Sequence, residues 1–236
     1  MVYPLDLYTI ADMPEDLASW QEGAYVADWV GDDVLADLLD LPRRISAALV
    51  ESAGVEVRHV VDLGSGHGPY LELLLDTFTH ARGTWVDSSP AMEPIAHERL
   101  ARFGDRIAYV LGDIENLPGL GLDAAQLIVS SRAIHHFSHD SIRTLYRAAH
   151  ALLPDGGWFF NLDHFGAPSD WKQRYRAIRA RFTGKRREPL RPHREPFELT
   201  VPEVQVAWLR EIGFDADIPW RTFFTALLAA RKAPPA

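Results

Sequence analysis

Apolar residues along the chain follow two different spacings, and their alternation predicts an α/β fold. Short apolar or β-branched runs, the pattern of buried strands, occur at 57–63, 84–87, 107–111, 125–130 and 158–162. Between these runs apolar residues recur three or four positions apart, as in Leu71, Leu74 and Phe78, which is helical spacing. Repeated strand–helix alternation predicts a doubly wound parallel sheet with helices on both faces.

The two ends of the chain depart from this alternation. Residues 1–54 show helical spacing only, so we expect a helical N-terminal extension. After a helix predicted at about 202–212, the runs 214–218 and 222–230 predict two more strands. Only Pro219–Arg221 separates these strands, so we expect an antiparallel hairpin at the edge of the sheet. The sheet would then have seven strands, most of them parallel.

We interpret residues 1–236 as a single domain with four parts. These parts are N-terminal helices at 1–54, a core at 55–164, an insertion at 165–200, and a C-terminal helix and hairpin at 201–236.

Composition narrows the classes of function. The 236 residues are 47% hydrophobic and 24% charged, as in ordinary globular proteins. The absence of cysteine excludes disulfides, thiolate metal sites and cysteine nucleophiles. The chain lacks a basic start followed by an apolar run, so we expect a cytoplasmic protein that does not contact a membrane.

Charge is unevenly distributed along the chain. A net charge of −9 makes a nucleic-acid partner a poor expectation. The segment Asp170–Glu195 runs against this average, with ten Lys or Arg and three Asp or Glu. Its first part predicts an amphipathic helix, in which one apolar stripe is surrounded by arginines. That stripe consists of Trp171, Tyr175, Ile178 and Phe182.

The most informative segment is a Gly-rich turn after the first predicted strand. It reads Val60-Val61-Asp62-Leu63-Gly64-Ser65-Gly66-His67-Gly68-Pro69. Glycines there allow a sharp bend and a close approach of backbone to ligand, and the following helix offers free N–H groups. This favours a nucleotide cofactor. The dinucleotide pattern G-x-G-x-x-G is broken at Pro69, and no phosphate-binding P-loop lysine follows.

With the turn, four further segments resemble the motifs of the class I S-adenosylmethionine-dependent methyltransferases of the small-molecule type. They are Val86–Met92 after the second strand, Gly112–Ile114 after the third, Ser130–Phe137 after the fourth and the turn Leu152–Gly157 before the fifth. The resemblance covers about 45–163, and the closing hairpin agrees with it. It implies a Rossmann-like fold with S-adenosylmethionine as cofactor.

The resemblance also implies which residues bind this cofactor. Asp62, Gly64, Ser65 and Gly66 would line its amino-acid half. Asp87, with Ser88 beside it, would bind the ribose, and Met92 would pack on the adenine. The remaining candidates are Asp113 and the amide of Ile114 at the adenine edge, and Ser130 and His135 after the fourth strand.

The physical chemistry of these acids agrees with the resemblance. Asp62, Asp87 and Asp113 at strand ends would repel a pyrophosphate but suit a cofactor that carries a sulfonium and an ammonium. The alternative for each acid is a role as a helix cap or turn residue.

Catalytic candidates follow strands four and five. His136 or His164 could act as a general base towards a hydroxyl or amine, or could simply pack beside the cofactor. Arg132 could bind a substrate carboxylate or form a surface ion pair. Tyr25 and Trp29 could line the substrate pocket or belong to the core. We expect no metal, because a loop at Ser138 would separate His135 from His139.

The function we expect is methyl transfer to an oxygen or nitrogen of a small molecule. The basic helix lies where related enzymes have a substrate lid, and inward arginines would favour an anionic substrate. Alternatives are an RNA or protein methyltransferase, a nicotinamide-dependent oxidoreductase, and a methyltransferase-like protein that binds the cofactor without transferring methyl. The oligomeric state cannot be read from the sequence.

Overall fold

A computed structural model describes residues 19–31, 36–182 and 197–233. Its centre is a seven-stranded sheet in the order β3-β2-β1-β4-β5-β7-β6. The first five strands are parallel, and β7 runs antiparallel to both β5 and β6. The predicted mostly parallel sheet with a C-terminal hairpin is therefore confirmed. The strands are β1 (His59–Leu63), β2 (Arg82–Asp87), β3 (Ile107–Leu111), β4 (Leu127–Ser131), β5 (Trp158–His164), β6 (Phe214–Thr222) and β7 (Thr225–Lys232).

Helices cover both faces of the sheet, as the alternation predicted. The α-helices are α1 (Gly23–Gly31), α2 (Ala36–Ser52), α3 (Pro69–Thr77), α4 (Glu93–Leu100), α5 (His139–Leu152), α6 (Ser169–Phe182) and α7 (Pro202–Ile212). Short 3-10 helices occupy Ala101–Arg106, Ile114–Leu120 and Ile134–His136.

Adjacent strand residues point to opposite faces and so define two cores. Val60 packs in a cluster with residues of α1 to α4, such as Leu71. Its neighbour Val61 packs in the other cluster, with residues of α5 and α7 such as Tyr146 and Leu209. Both clusters are made of buried side chains, so the sheet is covered on each side.

The hairpin turn lies in a different place from the one predicted. Pro219–Arg221 belong to β6, and the turn consists of Phe223 and Phe224 between the paired residues Thr222 and Thr225. A register irregularity between Asp217 and Trp220 accommodates Pro219, which has no N–H to pair. Phe223 has a φ of 50°, a turn conformation that Phe rarely adopts, so the sequence carries no turn signal here.

Strand β5 extends two residues past its predicted end. Asp163 pairs with Ala226 and His164 pairs with Thr225, so antiparallel pairing with β7 carries both residues into the strand. Within the part of the chain that the structure describes, no helix has the length and apolar character needed to cross a membrane.

Candidate active site

The Gly-rich turn joins β1 to α3 at the carboxyl edge of the sheet, and its first two glycines serve different purposes. A Cβ on Gly64 would lie 2.4 Å from the Cβ of Ala133, so close packing excludes any side chain there. A Cβ on Gly66 would meet only the Met92 Sδ, at 4.0 Å. Both residues have left-handed backbones, with φ of 65° and 56°. Gly66 therefore presents bare backbone to open space that a ligand can fill.

Strand β2 fixes the backbone of Gly66 from both sides. The Gly66 amide donates to Asp87 Oδ2 at 2.7 Å, and Trp85 Nε1 donates to the Gly66 carbonyl at 2.7 Å. The other Asp87 oxygen accepts from the Ser89 amide at 2.8 Å. Burial raises the pKa of Asp87, and these backbone donors oppose the rise. A half-buried carboxylate thus lies against the turn, with exposed Ser88 next to it.

Asp62 is a buried carboxylate beneath the turn. Its Oδ2 accepts from the Ser65 hydroxyl at 2.6 Å. The Leu71 amide adds a weak attraction, but no described residue makes a hydrogen bond of normal geometry to Asp62 Oδ1. Burial raises the pKa of Asp62 to about 7, against the opposing effects of the Ser65 hydroxyl and the Arg43 charge. An unsatisfied buried acceptor suits the ammonium group of an amino-acid ligand.

The remaining cofactor candidates also lie at this edge. Asp113 caps the 3-10 helix Ile114–Leu120 by accepting from the Glu115 amide at 2.9 Å, and burial raises its pKa. The Ile114 Cδ1 lies 3.7 Å from the position of a Cβ on Gly64. The Ser130 hydroxyl donates to the Leu63 carbonyl at 2.8 Å and so joins β4 to β1.

A histidine–aspartate pair occupies the neighbouring part of the edge. His135 Nδ1 lies 2.6 Å from Asp163 Oδ1, and the His135 amide donates to Asp163 Oδ2 at 2.9 Å. Both residues are buried. One carboxylate thus fixes the ring and the backbone of the same histidine. The sequence assigned His135 to cofactor binding and gave Asp163 no role. The available signal was an acid at the end of β5, where residues of parallel strands meet.

Two more histidines pack around this pair. The ring centroid of His136 lies 4.1 Å from that of His135, and the centroid of His164 lies 5.0 Å away, edge-on. Burial raises the pKa of Asp163 to about 6, while positive charge on His164 or His136 would lower it. The structure therefore brings both predicted catalytic histidines, His136 and His164, into one cluster. The Asp163 carboxylate, however, lies against the ring of His135.

The N-terminal segment lies across this edge. The carbonyl of Trp20 accepts from the Ser89 hydroxyl, and Gln21 Nε2 donates to the Ser88 carbonyl at 3.3 Å. The ring centroid of Trp20 lies 6.3 Å from that of His136 and 5.1 Å from that of Tyr25. The segment thus connects the end of β2 to the histidine cluster.

The three predicted substrate residues have different positions. Tyr25 is 9% exposed and packs on Trp20 beside the cluster. Arg132 is half-buried after β4, with a φ of 57°, and its amide donates to the Leu162 carbonyl at 3.0 Å. Trp29 belongs to α1, but its side chain lies outside the described residues.

The basic helix is confirmed as α6, but its predicted apolar stripe is only partly packed. Tyr175 contacts Phe223 and Phe224 of the hairpin turn, at 5.7 Å and 5.9 Å between centroids. Trp171 stays 46% exposed, with Arg174 stacked over it at 5.1 Å, and Ile178 is 37% exposed. The Phe182 side chain and the rest of the basic segment, 183–196, lie outside the described residues.

A metal centre has no support within the described ranges, where no group of three or more His, Asp or Glu side chains could hold an ion. The predicted loop at Ser138 is present, since its Oγ accepts from the Ser141 amide at 3.1 Å and caps α5.

Comparison with known proteins agrees with this geometry. Residues 60–157 match the family described as "Methyltransferase domain". Human N-acetylserotonin methyltransferase in complex with S-adenosylmethionine superposes with a TM-score of 0.64 and 16% identity, over 94% of this chain and 61% of that chain. The sheet, the Gly-rich turn and this likeness define the class I S-adenosylmethionine-dependent methyltransferase fold. The match to the family model lies within the core of the sheet, from β1 to the start of β5.

Two curated proteins share sequence with parts of the chain. Mitomycin biosynthesis 6-O-methyltransferase of Streptomyces lavendulae is 34% identical over 99 residues, which are 40% of this chain and 27% of that protein. Aclacinomycin 10-hydroxylase RdmB of Streptomyces purpurascens is 29% identical over 157 residues, which are 63% of this chain and 41% of that protein. The chain thus matches less than half the length of either relative.

Proposed function

We propose that this protein transfers the methyl group of S-adenosylmethionine to an oxygen of a small-molecule acceptor. The observation that carries the proposal is the placement of the His135–Asp163 pair beside the Gly-rich turn. A cofactor surface and a candidate proton acceptor then share one edge of the sheet. The name of the mitomycin 6-O-methyltransferase supports oxygen rather than nitrogen as the acceptor atom.

The residues present fit this cofactor. Gly66 offers open backbone, and Asp62 offers a buried acceptor for an ammonium group. Asp87 would hold the ribose hydroxyls, while Met92 and Ile114 would border the adenine. Asp62, Asp87 and Asp113 together favour a cationic ligand. When bound, the cofactor supplies a methyl group on a sulfonium, which is a good leaving group.

We assign the general base to His135, which departs from the sequence-based prediction of His136 or His164. Asp163 accepts from Nδ1–H of His135, which sets the tautomer with its lone pair on Nε2. Nε2 would take the proton from the acceptor hydroxyl as that oxygen attacks. Asp163 would then stabilise the imidazolium that forms. His136 and His164 would border the acceptor.

The acceptor would lie between the histidine cluster and the N-terminal segment. Trp20 and Tyr25 supply an apolar wall there, and exclusion of water by this wall would leave the reacting hydroxyl accessible mainly to His135. An anionic acceptor stays a prediction, since the described arginine side chains of α6, Arg174 and Arg176, are exposed. A cytoplasmic location also stays a prediction.

A methyl-transfer assay tests the proposal. The protein would be incubated with S-adenosylmethionine carrying a deuterated methyl group and with a panel of phenols, aliphatic alcohols and primary amines. Mass spectrometry would follow S-adenosylhomocysteine and the labelled product. We expect product from hydroxylated acceptors, and loss of product with His135→Ala. Product from amines alone would contradict the assignment of oxygen.

A second candidate function is binding of the cofactor for a reaction other than methyl transfer. The specific observation is the similarity to a protein named as a hydroxylase, RdmB. In that case the acceptor would change mass while S-adenosylmethionine stays intact. The same assay separates the two candidates.

A further inference from the structure

The two ends of the basic insertion meet at one point just after β5. The Gly166 amide donates to the Thr200 carbonyl at 2.8 Å. A Cβ on Gly166 would collide with the carbonyl oxygen of Leu199, so the two ends touch through their backbones. One residue earlier, the Phe165 amide donates to the Phe224 carbonyl of the hairpin turn at 2.7 Å. Gly166 and Thr200 together form the root of the insertion.

A path of buried hydrogen bonds leads from this root to β5. Gln205 Nε2 of α7 donates to Thr200 Oγ1 at 3.0 Å, and the Tyr146 hydroxyl of α5 donates to Gln205 Oε1 at 2.5 Å. Asn161 Nδ2 of β5 donates to the Tyr146 hydroxyl at 3.1 Å. Tyr146 and Asn161 are fully buried, and Gln205 is 4% exposed. Hydrogen bonds at this depth are stronger than in water, and each is costly to break.

Apolar packing alone does not require these polar groups. The Tyr146 ring lies in the apolar cluster formed by α5, α7 and the sheet, with the Phe159 ring 5.3 Å away between centroids. A phenylalanine ring in place of Tyr146 would fill the same space without a hydroxyl to desolvate. Asn161 carries a further cost, because no described residue makes a hydrogen bond to its Oδ1. A path that carries such costs is best explained if it fixes one arrangement of the elements that it joins.

The path and the root flank the end of β5 that carries the proposed catalytic pair. Asn161 precedes Asp163 by two positions, so the two side chains share one face of the sheet. Gly166, at the root, follows His164 by two residues. The path therefore begins before, and ends after, the part of β5 from which Asp163 orients His135.

Helix α6 of the insertion packs against the same edge of the sheet. It begins shortly after the root, and its Tyr175 contacts Phe223 and Phe224 of the hairpin turn. That turn adjoins the histidine cluster, because His164 pairs with Thr225, the first residue after the turn. A shift of the root would therefore also move α6 and the turn relative to His164.

We propose that Tyr146 and Gln205 are positioning residues of the acceptor site, which hold the root of the insertion in one place through the bond to Thr200. They act through the root, whose position decides where α6 and the hairpin turn lie beside the histidine cluster. Their effect on an acceptor rests on the proposed function. Their effect on the position of the root does not.

Hydrogen exchange of the ligand-free protein tests the path without any substrate. Tyr146→Phe keeps the ring and removes the hydroxyl, so peptides from residues 165–178 should exchange about tenfold faster. Peptides from β1 should keep the exchange rate of the parent protein, because β1 takes no part in the path. Mass spectrometry of peptic peptides measures both regions. Equal acceleration in both would show a general loss of stability and would overturn the proposal.

Tyr70→Phe is the matched control. Tyr70 is also buried, at 1% exposed, and its hydroxyl donates to Ser46 Oγ at 2.7 Å within the cluster on the other face of the sheet. This variant should lower the midpoint of urea unfolding but leave the exchange of residues 165–178 unchanged. If both variants accelerated exchange there alike, the loss of any buried hydroxyl would suffice, and the proposal would fail.

Two substitutions at the root separate the hydroxyl of Thr200 from its bulk. Thr200→Val keeps the shape but removes the acceptor of the Gln205 bond, whereas Thr200→Ser keeps the hydroxyl. The probe is the phenol or alcohol of the panel above that gives the most product. Thr200→Val should raise the KM of this acceptor about tenfold and change kcat less than about twofold, with unchanged affinity for S-adenosylhomocysteine. Thr200→Ser should behave like the parent protein. Equal KM values for the two variants, or a fall in kcat alone, would overturn the role at the acceptor site.

Failure of this inference can be told apart from failure of the proposed function. If the parent protein transferred no methyl group to any hydroxylated acceptor, the proposed function would fail, and hydrogen exchange alone would decide whether the path holds the root. Unchanged exchange of residues 165–178 in Tyr146→Phe would overturn the inference in either case.

Discussion

In the Gly-rich turn, the backbone of Gly66 borders the space that a ligand can fill, and neighbouring strands fix this backbone. The Gly66 amide and carbonyl are each held by a side chain of β2, and Ser65 is tied to Asp62. At the neighbouring part of the same sheet edge, side chains rather than backbone groups form the site. There the side chains of His135, His136 and His164 face one another, and a single carboxylate, Asp163, orients the first of them.

This difference means that cofactor binding and the proposed chemistry depend on different kinds of residue. Backbone geometry constrains a few positions strictly, since a glycine with a left-handed backbone or a close neighbour tolerates few replacements. Side-chain chemistry can change while the turn stays intact. Substitutions on the two sides should therefore affect different quantities.

The largest effect should come from the acceptor side. His135→Ala should lower the turnover number about 100- to 10,000-fold, because it removes the base that Asp163 orients. Affinity for S-adenosylhomocysteine should change by less than about 1 kcal/mol, since the proposed role of His135 is towards the acceptor and the side chain packs with Asp163, His136 and His164. Steady-state kinetics and calorimetry would measure both. His136→Ala is the matched variant, and a larger loss of turnover there would return the base to His136.

The next largest effect is a difference in stability between substitutions at the two glycines of the cofactor side. Gly64→Ala should cost about 3 kcal/mol of unfolding free energy, because its Cβ would lie 2.4 Å from Ala133. Gly66→Ala should cost about 1–2 kcal/mol, the penalty of a left-handed backbone.

Ligand binding should be affected more at Gly66 than at Gly64. The methyl group added at Gly66 would occupy the space that is open to the ligand. Gly66→Ala should therefore lose S-adenosylhomocysteine binding while remaining folded. Denaturant unfolding and calorimetry on both variants provide the check. Equal stability losses with equal residual binding would show that the turn does not face the cofactor.

Asp87→Ala should weaken binding of S-adenosylhomocysteine by about 1–3 kcal/mol, because a charged acceptor for the ribose is lost. 5′-Methylthioadenosine keeps the ribose and should lose affinity to the same extent. The Gly66 amide also loses its partner, so the unfolding free energy should fall by about 1 kcal/mol. Asp113→Ala, which removes a helix cap, should affect ligand binding less. Unchanged affinity in Asp87→Ala would refute the ribose assignment.

The smallest effect is a pH dependence on the cofactor side. The pKa of Asp62 is raised from 3.8 to about 7 in the folded protein. Its contribution to stability is therefore complete below about pH 4 and is lost as the pH rises towards 7. A bound ammonium favours the ionised carboxylate, so affinity for S-adenosylhomocysteine should rise about tenfold from pH 6 to pH 8. Asp62→Asn should remove this rise, and a rise that persists in Asp62→Asn would exclude Asp62 as its cause.

The sequence was most informative where one segment contains both the turn and its acid. Asp62, Gly64 and Gly66 lie in one turn, and Asp87 ends the next strand, so local pattern and motif resemblance located them. The His135–Asp163 pair depends on a distant segment, since β5 reaches Asp163 through its pairing with Ala226 of β7. The hairpin turn at Phe223 was missed because its residues carry no turn preference.

Arg43 illustrates the same limit. Its helical spacing predicts α2, but nothing near it in the sequence indicates that its side chain lies over the ring of Tyr70 in α3. Contacts between elements distant in sequence decide which buried polar residues meet, and spacing within one element does not contain that information.

Calorimetric titration with S-adenosylmethionine and S-adenosylhomocysteine, with NAD as control, tests the central claim most directly. We predict binding of both ligands in the micromolar range and none of NAD, because the three acids at this edge disfavour a pyrophosphate. Binding of NAD, or no binding of either S-adenosyl ligand, would contradict the account.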